Sequence, residues 1–186
     1  QIIKFISSLK KTVRIVKIDI SENKKLDRYF KGVSYVFHLA GLADIVPSIE
    51  NPNKYFKSNV IGTFNILQAA KNARIKKFIY AASASCYGIP KKYPTNENAL
   101  INPMYPYAFT KWQAEEILMH WVKIYNFPAI SLRFFNCYGL RSRTSGAYGA
   151  VLGVFLAQKL AKKSLTIVGN GKQTRDFVHV KDLVRA

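Results

Sequence analysis

Two side chains that could exchange a proton, Tyr107 and Lys111, lie four residues apart in the segment Tyr-Pro-Tyr-Ala-Phe-Thr-Lys-Trp. Residues at positions i and i+4 project from one face of a helix, and Pro106 suits the first turn of that helix. A tyrosine with its ordinary pKa of ~10 is no base at neutral pH, and a lysine ammonium at about 6 Å lowers that pKa by only ~2. Tyr107 therefore needs a further positive charge, which an oxidised nicotinamide ring would supply.

Ser83 is the third candidate for this proton-abstracting site. It directly follows the run Lys-Phe-Ile-Tyr-Ala-Ala at 77–82, which is typical of a buried strand. A serine at the end of a strand can also serve only to hydrogen-bond its own turn. The presence of Tyr107 and Lys111 downstream favours a catalytic role over this structural one.

The composition limits the class of protein. The chain has 186 residues, 49% of them hydrophobic and 13% aromatic, which is typical of a globular protein with a substantial core. No apolar run reaches membrane-spanning length, and the first residues lack the order of a signal peptide. The cysteines, Cys86 and Cys137, predict neither a disulfide framework nor a metal site. We therefore expect a cytoplasmic protein with reduced thiols, no bound metal and no membrane association.

The net charge of +19 has two interpretations. A basic face could bind nucleic acid, or a lysine-rich surface could suit an anionic small ligand. The basic residues occur as scattered pairs, without a long basic block or zinc-finger spacing. This distribution favours a small anionic ligand over specific nucleic-acid binding.

The hydrophobic pattern alternates between strands and helices along the chain. Such alternation predicts βαβ units and therefore a parallel sheet. Strands are predicted at 13–18, 33–40, 77–82, 129–135 and 165–168, and helices at 24–30, 53–73, about 106–125 and 151–163. Surface loops are predicted at 88–103 and 142–149.

The beginning of the chain lacks a feature that a dinucleotide-binding fold normally carries. Such a fold opens with a strand, a glycine-rich turn and a helix whose N-terminus receives the pyrophosphate. Here the first glycine is Gly32, and no G-x-G-x-x-G or G-x-x-G-x-x-G spacing occurs. Gly169-Asn-Gly171 has no third glycine after it. We expect either a fragment, truncated at both ends, or a class of protein that lacks the usual phosphate cradle.

Seven motifs in order resemble the extended short-chain dehydrogenase/reductases, specifically the NAD-dependent nucleotide-sugar epimerases and dehydratases. Together they cover nearly the whole chain, and the order in which they occur is more specific than any one of them. They are Asp19-Ile20, Phe37-His-Leu-Ala-Gly41, Asn59-Val-Ile-Gly-Thr63, Ala81-Ala-Ser-Ala-Ser-Cys-Tyr-Gly88, Tyr107 to Lys111, Arg133-Phe-Phe-Asn-Cys-Tyr-Gly139 and Gly171-Lys-Gln-Thr-Arg-Asp-Phe177.

The resemblance implies an α/β fold: a Rossmann-like doubly wound parallel sheet without its first βαβ segment, plus part of a small C-terminal substrate-binding region. The corresponding boundaries are 1–139 for the incomplete NAD-binding domain and 140–186 for the partial substrate-binding region. Implied NAD contacts are Asp19, Ile20, Leu39, Ala40, Gly41, Asn59, Tyr107, Lys111 and Phe135. Implied substrate contacts are Ser83, Asn136 and Arg175. Asn59 has the alternative of an ordinary helix-face residue, and Asn136 and Arg175 that of common surface residues.

The resemblance also implies a reaction. Tyr107, Ser83 and Lys111 would be catalytic: Tyr107 removes a proton from the sugar 4-hydroxyl, Ser83 hydrogen-bonds the same oxygen, and Lys111 lowers the tyrosine pKa and holds the nicotinamide ribose. A 4-keto sugar would form. A UDP-hexose is the expected substrate, and a homodimer through the Tyr107 helix, with its apolar Ile117, Leu118, Trp121 and Val122, is the expected assembly.

The residues after Ser83 distinguish two reactions. A 4,6-dehydratase of this family needs a further acid and base beside the serine, whereas this chain has Ala84-Ser85-Cys86, without a carboxylate. This favours epimerisation or simple oxidoreduction. A non-catalytic nucleotide-sugar binding fragment is the competing hypothesis. Because the glycine-rich turn is missing, we also expect weak or no NAD binding by this chain alone.

Overall fold

A three-stranded parallel sheet organises the chain, for which the computed structural model describes residues 13–22, 26–140, 142, 151–167 and 169–186. Its strands are β1 (Tyr35–His38), β2 (Lys77–Ser83) and β3 (Ala129–Phe134), adjacent in that order. Phe37 pairs with Ile79, which pairs with Ile130, so these side chains share one face of the sheet. The carboxyl ends of the parallel strands therefore lie at one edge.

Helix α1 (Asp27–Phe30) precedes β1, and the connection from β1 to β2 is mostly helical. After β1 come α2 (Ile45–Glu50), α3 (Pro52–Tyr55), a π-helical segment (Phe56–Ile61) and α4 (Gly62–Asn72). The predicted helix at 53–73 is thus confirmed, with a π-helical stretch in its first half. Such stretches occur often at functional sites.

The connection from β2 to β3 contains a 3₁₀ turn (Ala84–Tyr87) and the long helix α5 (Pro106–Tyr125). Pro106 lies in the first turn, as predicted, and Asn126 ends the helix in a left-handed conformation with φ of 48°. Lys111, Ala114, Leu118 and Trp121 are buried along one face because they recur at helical spacing.

The core lies between this sheet and helices α4 and α5. Phe78, Tyr80 and Ala82 of β2 point toward these helices, since alternate strand residues face the same side. The helices contribute apolar side chains at helical spacing: Ile66, Leu67, Ala69 and Ala70 from α4, and Ala114, Leu118 and Trp121 from α5. Burying a side chain such as Phe78 or Leu118 stabilises the fold by about 2 kcal/mol. On the opposite face of the sheet, Phe37 is 67% exposed.

A second, two-stranded parallel sheet pairs β4 (Asn136–Tyr138) with β5 (Phe177–His179). Helix α6 (Val151–Leu160) lies between these strands in the chain, and α7 (Val180–Arg185) follows them. This sheet joins residues on both sides of the predicted domain boundary at 139. The division into 1–139 and 140–186 remains a prediction.

The mixed α/β class and the parallel sheet are confirmed, but two predicted strands are wrong. Residues 13–18 form no strand, and neither do 165–167; Val168 lies outside the described residues. A β-branched run becomes a strand only where a neighbouring strand offers hydrogen-bonding groups, and the described strands pair among themselves instead. The predicted loop at 142–149 falls almost wholly outside the described residues. No described helix meets the length and hydropathy needed to cross a membrane.

Gly88 should be required by the fold. Its φ is +62°, and an added Cβ would overlap the Asn102 carbonyl oxygen, which belongs to backbone. Gly32 has a φ of +74° but no atom within 4 Å of its added Cβ. We expect Gly32→Ala to destabilise the chain by about 1–2 kcal/mol, and Gly88→Ala by about 1–3 kcal/mol more because backbone must move. Urea unfolding measures both losses, and equal losses would contradict the overlap.

Candidate active site

The candidate catalytic residues meet at the carboxyl edge of the three-stranded sheet. Ser83 is the last residue of β2, and Tyr107 and Lys111 lie on the first two turns of α5. The Tyr107 hydroxyl donates to Ser83 Oγ at 3.2 Å. The structure therefore brings Ser83 and Tyr107 into direct contact across 24 residues of sequence.

Ser83 both caps its own turn, as the structural interpretation predicts, and contacts Tyr107. Its Oγ accepts a hydrogen bond from the Ser85 backbone N–H at 3.3 Å and so caps the 3₁₀ turn. The same Oγ lies 2.7 Å from Ser85 Oγ. Ser85, which the sequence interpretation did not single out, adds a second hydroxyl beside the Tyr107–Ser83 pair.

Lys111 carries its charge in a buried position. Burial lowers the pKa of this lysine to about 8, and the Glu115 carboxylate acts in the opposite direction. Its Nζ lies 4.3 Å from the centre of the Tyr80 ring, a cation–π geometry. At pH 7 the ammonium form still predominates, so the site holds a positive charge.

Tyr107 does not show the lowered pKa that the sequence led us to expect. Burial raises the pKa of Tyr107, the hydrogen bond to Ser83 lowers it, and the Asp44 carboxylate raises it further. Lys111 is not among the groups that shift the Tyr107 pKa, so the lowering expected of this lysine is not found. The requirement for an additional positive charge beside Tyr107 becomes stronger.

Asn59 links three parts of the site. Its Oδ1 accepts from Leu42 N at 2.7 Å, and its Nδ2 donates to Leu42 O at 3.1 Å and to Thr110 Oγ1 at 3.0 Å. The π-helical segment thus connects the loop after β1 with the residue next to Lys111. Asn59 is buried and fully engaged with protein groups, so it supports the site rather than pointing into open space.

The segment after β1 approaches the lysine closely. A Cβ added to Gly41 would lie 3.0 Å from Asn59 Oδ1 and 3.8 Å from Lys111 Nζ, so a larger residue would push into this space. Leu39 and Ala40 are exposed next to it. Asp44 follows with a φ of 91°, which is uncommon for a residue other than glycine and marks a constrained turn.

The predicted adenine contacts, Asp19 and Ile20, lie against the start of α4. Asn65 Nδ2 donates to Ile20 O at 2.9 Å, and an added Cβ at Gly62 would lie 2.8 Å from Ile20 Cγ1. Asp19 accepts hydrogen bonds from Ser21 N and Ser21 Oγ, which lower the pKa of its carboxyl. Its negative charge is therefore retained at neutral pH.

The predicted substrate contacts after β3 lie around the two-stranded sheet. Asn136 Nδ2 donates to Asp176 O at 2.9 Å, so this amide helps to join β4 to the segment before β5. Arg175, next in the chain to Asp176, is exposed, and its Nη1 donates to Thr174 O at 2.7 Å. Phe135 is 39% exposed between β3 and β4. The structure brings Asn136 and Arg175 to one region, and their roles stay predictions.

A partly buried ion pair holds α5 to β3. Arg133 Nε donates to Glu115 Oε1 at 2.9 Å and to Oε2 at 3.1 Å, and Arg133 Nη1 donates to the Tyr87 hydroxyl at 2.8 Å. Arg133 belongs to one of the sequence motifs, whereas the only sequence feature of Glu115 is its spacing of four residues from Lys111. Tyr80 is one of several aromatic residues in the sequence, and its position in a predicted buried strand does not indicate a contact with Lys111.

The chain is similar to proteins of one known family. A family model described as "NAD dependent epimerase/dehydratase family" matches residues 4–186. The UDP-glucose 4-epimerase of Mycolicibacterium smegmatis is 35% identical over 152 residues, which are 81% of this chain and 48% of that protein. The chain spans about half the length of the curated relatives it matches.

Solved structures agree with this comparison. The UDP-glucose 4-epimerase of Thermotoga maritima, solved with UDP-glucose, superposes with a TM-score of 0.89 at 30% identity, covering 97% of this chain and 59% of that one. The UDP-glucuronic acid 4-epimerase of Bacillus cereus, solved with UDP-glucuronic acid and NAD, gives a TM-score of 0.86 at 31% identity, with coverage of 97% and 56%.

Replacing the buried lysine should stabilise the chain at neutral pH. A lysine whose pKa falls from 10.5 to about 8 on folding costs roughly 3–4 kcal/mol wherever both states are protonated. We expect Lys111→Met to gain much of this below pH 8. The gain should shrink as pH rises from 8 toward 10.5, because the folded lysine then loses its proton and no longer carries a desolvated charge, and it should vanish above pH 10.5, where both states are neutral.

Urea unfolding between pH 7 and 10 measures this difference. Lys123→Met, an exposed position on the same helix, serves as the control and should show no such pH dependence. A Lys111→Met gain that stays constant across this range would show that the ammonium is not strained by burial.

Proposed function

Because the chain belongs to the NAD dependent epimerase/dehydratase family, we propose that it carries the catalytic residues of an NAD-dependent nucleotide-sugar epimerase. The proposed substrate is a UDP-hexose, epimerised at C4. The observation that carries the proposal is the 3.2 Å hydrogen bond from Tyr107 to Ser83 at the carboxyl edge of a parallel sheet. Ligands of open parallel sheets bind outside this edge.

The residues at this edge fit one half of NAD. Gly41 leaves a space that a Cβ would fill, next to the Lys111 ammonium, and Leu39 and Ala40 are exposed beside it. We propose that these residues and Tyr107 hold the nicotinamide ribose, with Asn59 as support. Asp19 and Ile20 are proposed to contact the adenine end of NAD, and Phe135 the nicotinamide. The chain contains no glycine-rich turn for the pyrophosphate, so we expect this chain alone to bind NAD weakly.

The proposed reaction divides its tasks among three side chains. Bound NAD supplies the hydride acceptor and later the hydride donor at the sugar C4. Tyr107, as phenolate, accepts the proton of the 4-hydroxyl and returns it when the 4-keto sugar is reduced on its other face. Ser83 hydrogen-bonds the same sugar oxygen, and Lys111 stabilises the phenolate. Asn136 and Arg175 are proposed to bind the nucleotide diphosphate.

The immediate surroundings of Ser83 favour epimerisation over 4,6-dehydration. The 3₁₀ turn after it carries Ala84, Ser85 and the buried Cys86, none of which is a carboxylate. Asp44 is close enough to raise the pKa of Tyr107, but it comes from the loop before α2. A reductase or dehydratase of the same family and a non-catalytic nucleotide-sugar binding fragment are the alternatives that an assay must separate.

A chimaeric enzyme tests the catalytic assignment. This chain would replace the matching half of the M. smegmatis UDP-glucose 4-epimerase, and conversion of UDP-glucose to UDP-galactose would be followed by chromatography. We expect Tyr107→Phe to lower kcat by about 10²–10⁴, the range for losing a general acid–base group. Tyr125→Phe, at the far end of the same helix, should leave kcat unchanged.

Two results would contradict the proposal. A chimaera that turns over equally well with Tyr107→Phe would remove Tyr107 from the reaction. A 4-keto-6-deoxy sugar as the product would indicate a dehydratase instead. Circular dichroism of each variant shows whether the fold is retained.

We further propose that the protein works as a homodimer in the cytoplasm, with α5 in the interface. Leu118 and Trp121, which the sequence suggested for this contact, are buried in the protomer's own core. Instead, α5 exposes Phe109 and Met119, and Phe109 lines an apolar groove with Phe56 and Met104. An exposed apolar helix face is typical of a protein interface. The exposed free thiol of Cys137 suits a reducing compartment.

A charge in this groove should prevent dimerisation. We expect Phe109→Lys to convert the chimaeric enzyme from dimer to monomer, because an ammonium would be buried against apolar side chains. Ile89→Lys, in the surface loop at a residue that is 73% exposed, is the matched control and should remain dimeric. Sedimentation velocity gives the masses. An unaltered protein that is monomeric, or a Phe109→Lys variant that stays dimeric, would exclude this interface.

A further inference from the structure

Tyr80 contacts Lys111 at two points. The ring centre lies 4.3 Å from the Lys111 ammonium, and the phenol hydroxyl donates to the Lys111 backbone carbonyl at 3.2 Å. Tyr80 is fully buried in the middle of β2, three residues before Ser83. One side chain of the central strand thus holds both the charged end and the backbone of the lysine.

His38 supports the Tyr80 ring from the neighbouring strand. Its imidazole stacks against this ring, with 5.7 Å between centroids and 23° between planes. His38 Nε2 lies 2.8 Å from Thr63 Oγ1, and that hydroxyl donates to the Asn59 carbonyl at 2.6 Å. A threonine hydroxyl has one proton to donate, so Nε2 carries the proton in this network and donates to Thr63.

The imidazole remains uncharged beside the lysine. Burial, with a smaller effect of the Lys111 charge, lowers the pKa of His38 to about 3. A charged imidazole here would repel the ammonium, whereas the neutral ring only packs against Tyr80. The network from His38 through Thr63 to Asn59 therefore fixes the Tyr80 ring without adding a second positive charge.

We propose that Tyr80 is a positioning residue for Lys111. The face of the Tyr80 ring holds the Lys111 ammonium at the carboxyl edge of the sheet, and His38 fixes the orientation of that ring. The inference rests on the proposed function, since it assigns Lys111 the role of assisting Tyr107. A cation over an aromatic ring is stabilised by about 0.5–2 kcal/mol, more when the pair is desolvated. The ring therefore favours the charged form of a lysine whose pKa is lowered by burial.

Other charged and titratable groups lie around the same ammonium. Glu115 on the lysine's own helix favours the charged form of Lys111, and Tyr107 lies one turn before it. Asp44 acts on Tyr107 from the loop before α2. A substitution at position 80 leaves all three residues in the chain, and a matched control measures any change in their effect on the Lys111 pKa.

A direct titration of Lys111 tests the proposal in the chain as it is. The chain would be labelled with ¹³C at lysine Cε and titrated by NMR, and the Lys111 signal would be identified by its loss in Lys111→Met. We expect Tyr80→Leu to lower the Lys111 pKa by about 0.5–1, the equivalent of losing the cation–π contact. Tyr80→Phe keeps the ring and should leave the lysine pKa nearly unchanged.

Phe78→Leu is the matched control. Phe78 lies on the same face of β2, is also fully buried, and is an aromatic neighbour of His38. Its replacement should destabilise the core to a similar extent without changing the Lys111 pKa. If Phe78→Leu and Tyr80→Leu lower the lysine pKa equally, or if Tyr80→Leu leaves or raises it, the positioning role is excluded.

Fluorinated phenylalanines at position 80 keep the test decisive if Tyr80→Leu does not fold. They preserve the ring shape and progressively weaken its negative face, so the Lys111 pKa should fall stepwise with fluorination. A flat series would overturn the proposal. The titration needs neither NAD nor turnover, so it can fail while the Tyr107→Phe assay succeeds, and the two results separate this inference from the proposed function.

Discussion

A positive charge has to be kept inside the protein at the end of a parallel sheet, and much of the surrounding structure meets that requirement. Lys111 lies on the buried face of α5, where desolvation favours its neutral form. The ring of Tyr80, the carboxylate of Glu115 and a histidine that remains neutral oppose this tendency. Glu115 is in turn paired with Arg133 of β3, and Tyr80 belongs to β2. The groups that act on the Lys111 ammonium therefore link α5 to both strands.

The same requirement explains the unusual backbone around the site. In the loop after β1, a Cβ added to Gly41 would lie 3.0 Å from Asn59 Oδ1, closer than most side-chain contacts, and 3.8 Å from Lys111 Nζ. Asn59 holds this loop through both backbone groups of Leu42, and it does so from a π-helical turn. Asp44 takes a positive φ as the chain turns into α2. Local conformational cost is thus concentrated where the loop must approach the charged side chain.

The chain contains the candidate catalytic residues but no sequence motif for binding the cofactor's pyrophosphate. Around Ser83, Tyr107 and Lys111, hydrogen bonds and packing within the chain define the geometry. Tyr107 nevertheless has a raised pKa, because burial outweighs the hydrogen bond that Ser83 accepts from it. In the proposed reaction, proton transfer to Tyr107 would therefore depend on a charge that arrives with the cofactor, which would couple cofactor binding to the chemistry. Residues for the pyrophosphate are not among the motifs of this chain.

The sequence by itself determined the alternation of strands and helices, the Tyr107–Lys111 spacing on one helix face and the strand leading into Ser83, because periodicity and proline placement are local properties. The predicted strands at 13–18 and 165–168 were wrong over the described residues, since pairing depends on neighbours distant in sequence. Tertiary structure alone decided that Tyr80 contacts Lys111, that His38 stacks on Tyr80, that Glu115 binds Arg133, and that burial raises the Tyr107 pKa. Each of these depends on side chains that only the packed sheet and helices bring together, and on the low dielectric that packing creates.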